Sequence, residues 1–350
     1  GERPVAELLA VMKHVRFAAM DAGFVQATVR AWPALDSREG RDVIVLSLLD
    51  AKLALRRSGF GAHLVYVLGG SFGDEEGEEL STVDVYNPRT DAWKQVASMP
   101  ITRYQHAGVV LDGKVYALGG HDVDVLSSVG MYDPQSNQWQ PLADMANGRA
   151  LFAAAAAGGK IYAIGGAGDD DNSTEMVEAF DPLLGAWVEV ASMSVGRRCH
   201  SVAVVDGKIY AIGGLDSDDE TLDLAEAYDP QADSWQQIAS MPQARQSHAA
   251  TAVGGKIYVS GGGYYDGDIV TSTVTVFDPQ VNTWTEVASM GTARKDHSSS
   301  VIGCKLYVFG GKTEDGERTA SVEVYDPASN TWAQVSDLSC ARDELASVAL

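Results

Sequence analysis

Glycine pairs recur along this chain at Gly69-Gly70, Gly119-Gly120, Gly165-Gly166, Gly213-Gly214, Gly261-Gly262 and Gly310-Gly311, at intervals of 50, 46, 48, 48 and 49 residues. Self-similarity at such a period marks an array of one supersecondary unit that cannot bury its apolar faces alone. Tryptophans keep the same step at Trp93, Trp139, Trp187, Trp235, Trp284 and Trp332. Seven residues before each stands an aromatic (Tyr86, Tyr132, Phe180, Tyr228, Phe277, Tyr325), and ten residues after each an arginine (Arg103, Arg149, Arg197, Arg245, Arg294, Arg342). Whatever the chain folds into must give six copies of this frame equivalent surroundings.

One unit shows what the copies are. His200 to Val205 is apolar and β-branched, Asp206-Gly207 is a two-residue hairpin signal, and Lys208 to Ile212 alternates into the glycine pair. An acidic loop precedes a third strand at Asp223 to Asp229, a turn containing Pro230 ends it, and Ser234 to Ala239 reads as a fourth. Each unit is thus expected to be a four-stranded antiparallel meander, a to d from the inside outward. Glycine removes Cβ where strand b turns sharply against neighbouring backbone, and the aromatics of strands c and d give each sheet large faces to pack on the next. Six such sheets cover one another by closing into a ring, so the expected fold is an all-β six-bladed β-propeller. The first glycine pair follows a strand b (His63 to Leu68) with no strand a before it, and Glu344 to Ala349 is a strand a with no b after it. The two ends are expected to complete blade 1.

Composition narrows the function. At 45% hydrophobic and 21% charged, the chain can bury a sizeable core, and 36 glycines against 11 prolines suit many tight turns. Cys199, Cys304 and Cys340 are too few and too far apart for a disulfide framework or a structural zinc site, which fits a reducing compartment and a cytoplasmic location. No run of 18 apolar residues occurs, and the chain starts at Gly1 without a basic-then-apolar leader, so it reads as part of a longer protein. Asn172-Ser173-Thr174 matches a glycan acceptor by spacing alone. With 26 Lys and Arg against 48 Asp and Glu, the formal charge of −22 argues against nucleic acid and anionic membrane as partners. The excess is uneven: residues 1–60 hold 9 basic and 7 acidic side chains, leaving 17 against 41 for residues 61–350.

The glycine pairs, the Tyr before the Trp, the runs VYNP, MYDP, AYDP and VYDP, and the SMP segments before the arginines resemble the Kelch repeat, over residues 61–350. Kelch propellers serve as ubiquitin-ligase substrate receptors, as actin-associated scaffolds and, less often, as enzymes, so the resemblance implies a fold more firmly than an activity.

Residues 1–60 read as helical. Val5, Leu8, Leu9, Met12, Val15 and Ala19 share a helix face. Asp21 is placed to cap a second helix that runs through Trp32 to Pro33, and Asp36 and Glu39 form a capping box before a third, about 40–57, which is apolar almost all round. The segment resembles the C-terminal part of a BACK domain, the module between BTB and Kelch in Kelch-like adaptors. It departs from that pattern where the usual PLM reads Ala18-Ala19-Met20 and where the Tyr-His-Leu ending reads Ala54-Leu55. In those adaptors BTB and the first BACK helices grip cullin-3 and the propeller holds the substrate. The resemblance therefore implies a non-catalytic substrate receptor whose cullin-3-contacting parts lie outside this chain, with an actin or cytoskeletal scaffold as the alternative and a metal-dependent Kelch enzyme as a third.

In an antiparallel meander the b–c and d–a loops share one face. The a–b turns of the other face (DGK, GGK, DGK, GGK, GCK) offer little to recognise. The b–c loops carry 20 acidic residues against two basic ones, Lys312 and Arg318, a field that attracts a basic protein segment or simply keeps a large β protein soluble. Nearer the axis, the residue after each repeat arginine (Tyr104, Ala150, Arg198, Gln246, Lys295, Asp343) and after each glycine pair (Ser71, His121, Ala167, Leu215, Gly263, Lys312) changes from blade to blade. Both rings match positions from which Kelch-like receptors hold peptides. The partner-binding candidates are Tyr104, His121, Arg198, Gln246 and Lys295, with Phe72, Tyr264 and Tyr265 as aromatic anchors and Asp216, Asp218 and Asp219 as the acidic field; the alternative is a plain rim.

Other chemistry finds less support. His106, His200, His248 and His297 follow their arginines by three residues, but sit one per blade, which favours packing over a metal ring. Asp169 to Asp171 and Asp216 to Glu220 lack the spaced ligands and glycine of a calcium loop. Cys199, between Arg198 and His200, is either a thiol of lowered pKa suited to redox sensing or a quiet one at a loop end. No nucleophile triad, phosphate-cradling loop or catalytic carboxylate pair stands out, and no cofactor is expected. The repeat arginines themselves are expected to bond loop carbonyls and carboxylates.

Overall fold

Six four-stranded antiparallel sheets account for almost all of the regular structure in the computed structural model, which describes residues 64–73, 78–264 and 269–350. The helices expected in residues 1–60, and Tyr265, lie outside the described residues. Blade 1 is ordered Ala346–Ala349, Val65–Leu68, Val83–Asn87, Ala92–Val96 from strand a to strand d. Its first two strands pair Leu68 with Ala346 and Val65 with Ala349, so the last strand of the chain lies beside the first one described. Blade 4 is Ser201–Val205, Lys208–Ile212, Ala225–Asp229 and Ser234–Gln237, and blades 2, 3, 5 and 6 repeat it. This is the six-bladed propeller expected from the period. Two short hairpins, Ser71–Phe72 with Glu78–Glu79 and Gly263–Tyr264 with Ile269–Val270, extend the b–c loops of blades 1 and 5.

The burial pattern explains why the sheets stack radially. Strands b are buried on both faces, with Ile209, Ala211 and Ile212 of blade 4 fully inside, whereas strands d alternate between exposed and half-buried. One apolar cluster forms between each pair of neighbouring blades. Between blades 3 and 4, for example, Ala155, Tyr162 and Val177 meet Ile209 and Tyr228, with Trp235 at the edge. Strands a of successive blades touch one another around the axis.

Three kinds of joint lock each blade to the next. The indole N–H of Trp235 donates to the Ala191 carbonyl of blade 3 at 2.8 Å, and its five counterparts reach the same position, ending with Trp93 on Ser336 across the closure at 3.0 Å. The arginines are buried and bond in both directions. The Gly166 amide of blade 3 donates to the Arg197 carbonyl at 2.9 Å, while the Arg197 guanidinium donates to the Gly213 and Leu224 carbonyls of blade 4 at 3.1 and 3.0 Å. Its second nitrogen pairs with Glu226 at 2.8 Å, as Arg149 does with Glu178, Arg294 with Glu323 and Arg342 with Asp84. Arg103 and Arg245 meet hydroxyls instead, Ser128 and Thr273, each at 2.7 Å. The glycine pairs supply the third joint: Gly213 and Gly214 have φ of +61° and +99°, and a Cβ on either would lie 2.5 Å from a backbone oxygen, of Arg245 or of Arg198. Only glycine fits there.

Candidate functional site

The two rings of variable residues picked from the sequence turn out to be partners. Each residue after an arginine forms an antiparallel bridge with the residue after the glycine pair of the same blade: Ser71 with Asp343, Tyr104 with His121, Ala150 with Ala167, Arg198 with Leu215, Gln246 with Gly263 and Lys295 with Lys312. The arginine joint on one side and the glycine pair on the other fix this bridge, so the backbone is the same in all six blades and only the side chains differ.

Tyr104 and His121 stack with ring centroids 5.4 Å apart, giving blade 2 a flat aromatic platform. Gln246 is buried, held by amide bonds to and from Gly263 at 2.9 and 2.8 Å. Lys295 is half-buried and bridged to Lys312. Phe72 and Tyr264 stand on the two short hairpins, Phe72 opposite Glu78 and Tyr264 opposite Ile269.

Arg198 occupies the rim position expected of it but is already engaged. Its guanidinium pairs with Asp219 and donates to the Ser173 hydroxyl at 3.0 Å and the Asp216 carbonyl at 3.3 Å. The loop at 216–220 is a folded turn: the Asp216 carboxylate accepts the amides of Asp218 and Glu220, both at 2.9 Å. Asp218, Asp219 and Glu220 are all exposed there, Asp219 being the one that pairs with Arg198, whereas the half-buried Asp216 shapes the loop.

The two basic residues of the acidic loops are also engaged. Lys312 and Arg318 of blade 6 both reach Asp343 of blade 1, at 2.8 and 2.7 Å, and Asp343 is fully buried beneath them. Arg318 donates further to the Ser71 hydroxyl and Gly73 carbonyl, each at 3.0 Å. The closure seam is therefore zipped at the rim by charge as well as by strand pairing, and the net field of the b–c loops stays negative.

Sequence reasoning missed a third ring, two residues after each arginine: Gln105, Leu151, Cys199, Ser247, Asp296 and Glu344. All six have φ between +52° and +53°. Each amide donates to the carbonyl of its counterpart in the preceding blade: Leu151 to Gln105, Cys199 to Leu151, Ser247 to Cys199, Asp296 to Ser247, Glu344 to Asp296, and Gln105 back to Glu344. The six bonds, 2.8–3.1 Å, form a closed belt around the axis. The signal was present, since the position keeps a fixed offset from the arginine and never repeats a residue, but no local pattern marks a left-handed residue there.

The belt and the residues following it, His106, Phe152, His200, His248, His297 and Leu345, line an axial pocket of about 110 Å³. Burial, with the repeat arginines adding to it, holds all four imidazoles neutral: His106 and His248 titrate down at about 3, His200 and His297 well below the usual value. They pack on glycine pairs, as His248 does on Gly213 and Gly262, in line with the packing role expected of them. Among the described residues no group of three or more His, Cys, Asp or Glu is placed to hold a metal. Burial, with Asp296 beside it, pushes the Cys199 thiol up to about 12, so it is a quiet thiol despite Arg198.

A family model described as the KLHDC2/KLHL20/DRC7 Kelch-repeats domain matches residues 60–262, 144–303 and 247–347. Kelch-like protein 36 of Bos taurus is 46% identical over 50 residues, 14% of this chain and 8% of its own length. Kelch-like ECH-associated protein 1B of Danio rerio is 36% identical over 75 residues, 20% of this chain and 13% of its own. The chain thus matches only about a tenth of the length of these curated relatives. A solved structure titled "Structure of YjhT" superposes with a TM-score of 0.66 at 16% identity, covering 78% of this chain and 98% of that one, a likeness of fold alone.

Proposed function

Since the chain belongs to the Kelch-repeat family, we propose that its propeller is a non-catalytic protein-interaction module whose b–c/d–a face captures a protein segment carrying basic residues. The observation that carries the reading is the rim itself, where an identical backbone bridge presents a different side chain in every blade. Uniform geometry with varied chemistry is what recognition of an irregular partner requires. The charge supports the sign of the partner, because Lys312, Arg318 and Arg198 are each paired with an acid and the exposed acids around them are not offset.

The wider role we propose is that of substrate receptor in a cullin-3 type ubiquitin-ligase adaptor of the cytoplasm, on the resemblance of residues 1–60 to BACK. An actin-binding scaffold is the competing outcome. Capture from lysate by the full chain, followed by identification of the bound proteins, tests both. Reversing Asp218 and Glu220 to Lys leaves the Asp216 turn and the Arg198–Asp219 pair in place, and is expected to cut recovery of the partner several-fold with the thermal midpoint unchanged. Undiminished recovery would remove the acidic field from the reading. Recovery of actin filaments, with no cullin-3 bound by the full-length gene product, would favour the scaffold.

A further inference from the structure

The axial pocket carries chemistry that neither the propeller joints nor the rim uses. Two of the six side chains in its belt, Asp296 and Glu344, are carboxyls on adjacent blades, and none of the residues lining the pocket is Lys or Arg. Glu344 accepts a bond from Gln105 Nε2 at 2.8 Å, which fixes one of its oxygens at the pocket wall. Beneath the belt, His106 and His200 are each 6% exposed and have no hydrogen-bond partner on either ring nitrogen. A buried imidazole with both nitrogens unmatched is costly unless something enters to meet it. Being neutral, each offers a lone pair.

We propose that this pocket is a binding site for a primary ammonium group on an unbranched alkyl chain, the chemistry of a lysine side chain or of a free alkylamine. An ammonium is a compact charge with three donors. The carboxylates of Glu344 and Asp296 supply its counter-charge, the unmatched imidazoles of His106 and His200 line the same pocket, and Leu151, Phe152 and Leu345 give the alkyl stem apolar wall. An anion would meet two like charges. The choice of a lysine as source rests on the protein-capture reading, since the belt residues lining the pocket directly follow the rim residues in the chain; the site does not.

The charge state of the belt supports the assignment. Glu344 is raised to about 7 by burial and by Asp296 and Asp343, with Gln105 and Lys312 opposing, and Asp296 is raised by burial and Asp343 against Ser247, Lys295 and Lys312. Arg197 and Arg103 face the histidines, and Arg198 faces Cys199. An entering cation relieves the crowding of the two carboxyls, so binding strengthens as pH rises from 6 to 8.

Calorimetric and NMR titration of the full chain at pH 8 tests this with two probes, n-butylammonium and acetyl-Gly-Lys-Gly-amide, against the same tripeptide acetylated on lysine. Binding of the lysine tripeptide at least as tight as that of butylammonium marks a lysine site. Binding of butylammonium alone marks a free-amine site. In either case E344Q should weaken binding about tenfold or more, as should D296N, with the far-UV spectrum unchanged. No binding of either amine, equal binding of the acetylated peptide, or affinity indifferent to both substitutions overturns the proposal. Because no protein partner is present, failure here leaves the capture reading standing, and failed capture with intact amine binding does the reverse.

Discussion

The joints between blades and the belt around the axis are both repeated six times, yet they treat their side chains in opposite ways. At the joints, chemistry is held constant: Trp235 on Ala191 and Trp93 on Ser336 are the same bond in two places, and Arg197 and Arg342 make the same two-way contact. In the belt the backbone is held constant, to within a degree in φ, and the six side chains are Gln, Leu, Cys, Ser, Asp and Glu. Elements that carry the fold must match their neighbours on both sides, so substitution at one joint damages two blades. Belt and rim side chains make contacts that need not be repeated around the ring, such as Gln105 on Glu344 and Arg198 on Asp219, and so are free to differ from blade to blade.

The largest test of that contrast is at the closure. Removing residues 346–350 strips strand a from blade 1 and with it the Leu68–Ala346 ladder and the burial of Val348. The expected loss, at least about 5 kcal/mol, approaches the whole stability of a domain, so circular dichroism should show no cooperative melt. A normal melt would mean that the ring does not depend on its seal.

Next comes a comparison within one kind of joint. Arg197→Ala leaves Glu226 buried without its cation and should cost about 3–5 kcal/mol, whereas Arg245→Ala leaves only carbonyls and the Thr273 hydroxyl and should cost about 1–3 kcal/mol by denaturant titration. Equal losses would show that the carbonyl bonds, not the carboxylate, set the strength.

The belt predicts a pH effect. The folded state raises Glu344 from an ordinary value of 4.5 to about 7, so between those values the native chain holds a proton that the unfolded chain has released. Taken alone, this group lowers stability as pH rises through the window, by on the order of 1–3 kcal/mol, while the buried neutral imidazoles of His106, His200, His248 and His297 act with the opposite sign up to the ordinary histidine value. Melting curves of the wild type and E344Q from pH 4.5 to 8 isolate the Glu344 contribution: the wild type should lose stability relative to E344Q across the window, and parallel curves would refute it. The exposed carboxylates lowered by their lysine partners, such as Asp278 with Lys256, act below this window and do not blur it.

The smallest effect belongs to a single joint bond. Trp235→Phe keeps the aromatic face against Tyr228 but removes the donor to Ala191, for about 0.5–1.5 kcal/mol, read from the denaturation midpoint.

How far the sequence alone could be read follows the same division. Blade count, strand order and the structural use of Arg103 through Arg342 were legible because period, hairpin signals and fixed offsets are local or repeated. Lys208 to Ile212 needed no correction. The rim was legible in position but not in engagement: Arg198 was identified by its offset, while its pairing with Asp219 depends on how the loop at 216–220 folds. Lys312 and Arg318 meeting Asp343 across the seam joins segments at opposite ends of the period, beyond any single repeat. The belt was missed because a left-handed Leu151 or Glu344 is imposed by neighbouring blades, not favoured by residue type.

The bonding of Leu64 to Leu350, amide to carbonyl in both directions at 3.1 and 2.9 Å, has one more consequence. Both ends of the propeller sit on the face opposite the rim, within reach of a short peptide bridge. Joining them and cutting instead at the Asp206-Gly207 turn, on that same face, would give a circular permutant with every blade intact and the recognition surface untouched. In such a molecule the order of the blades along the gene becomes arbitrary, and only their order around the circle is physical.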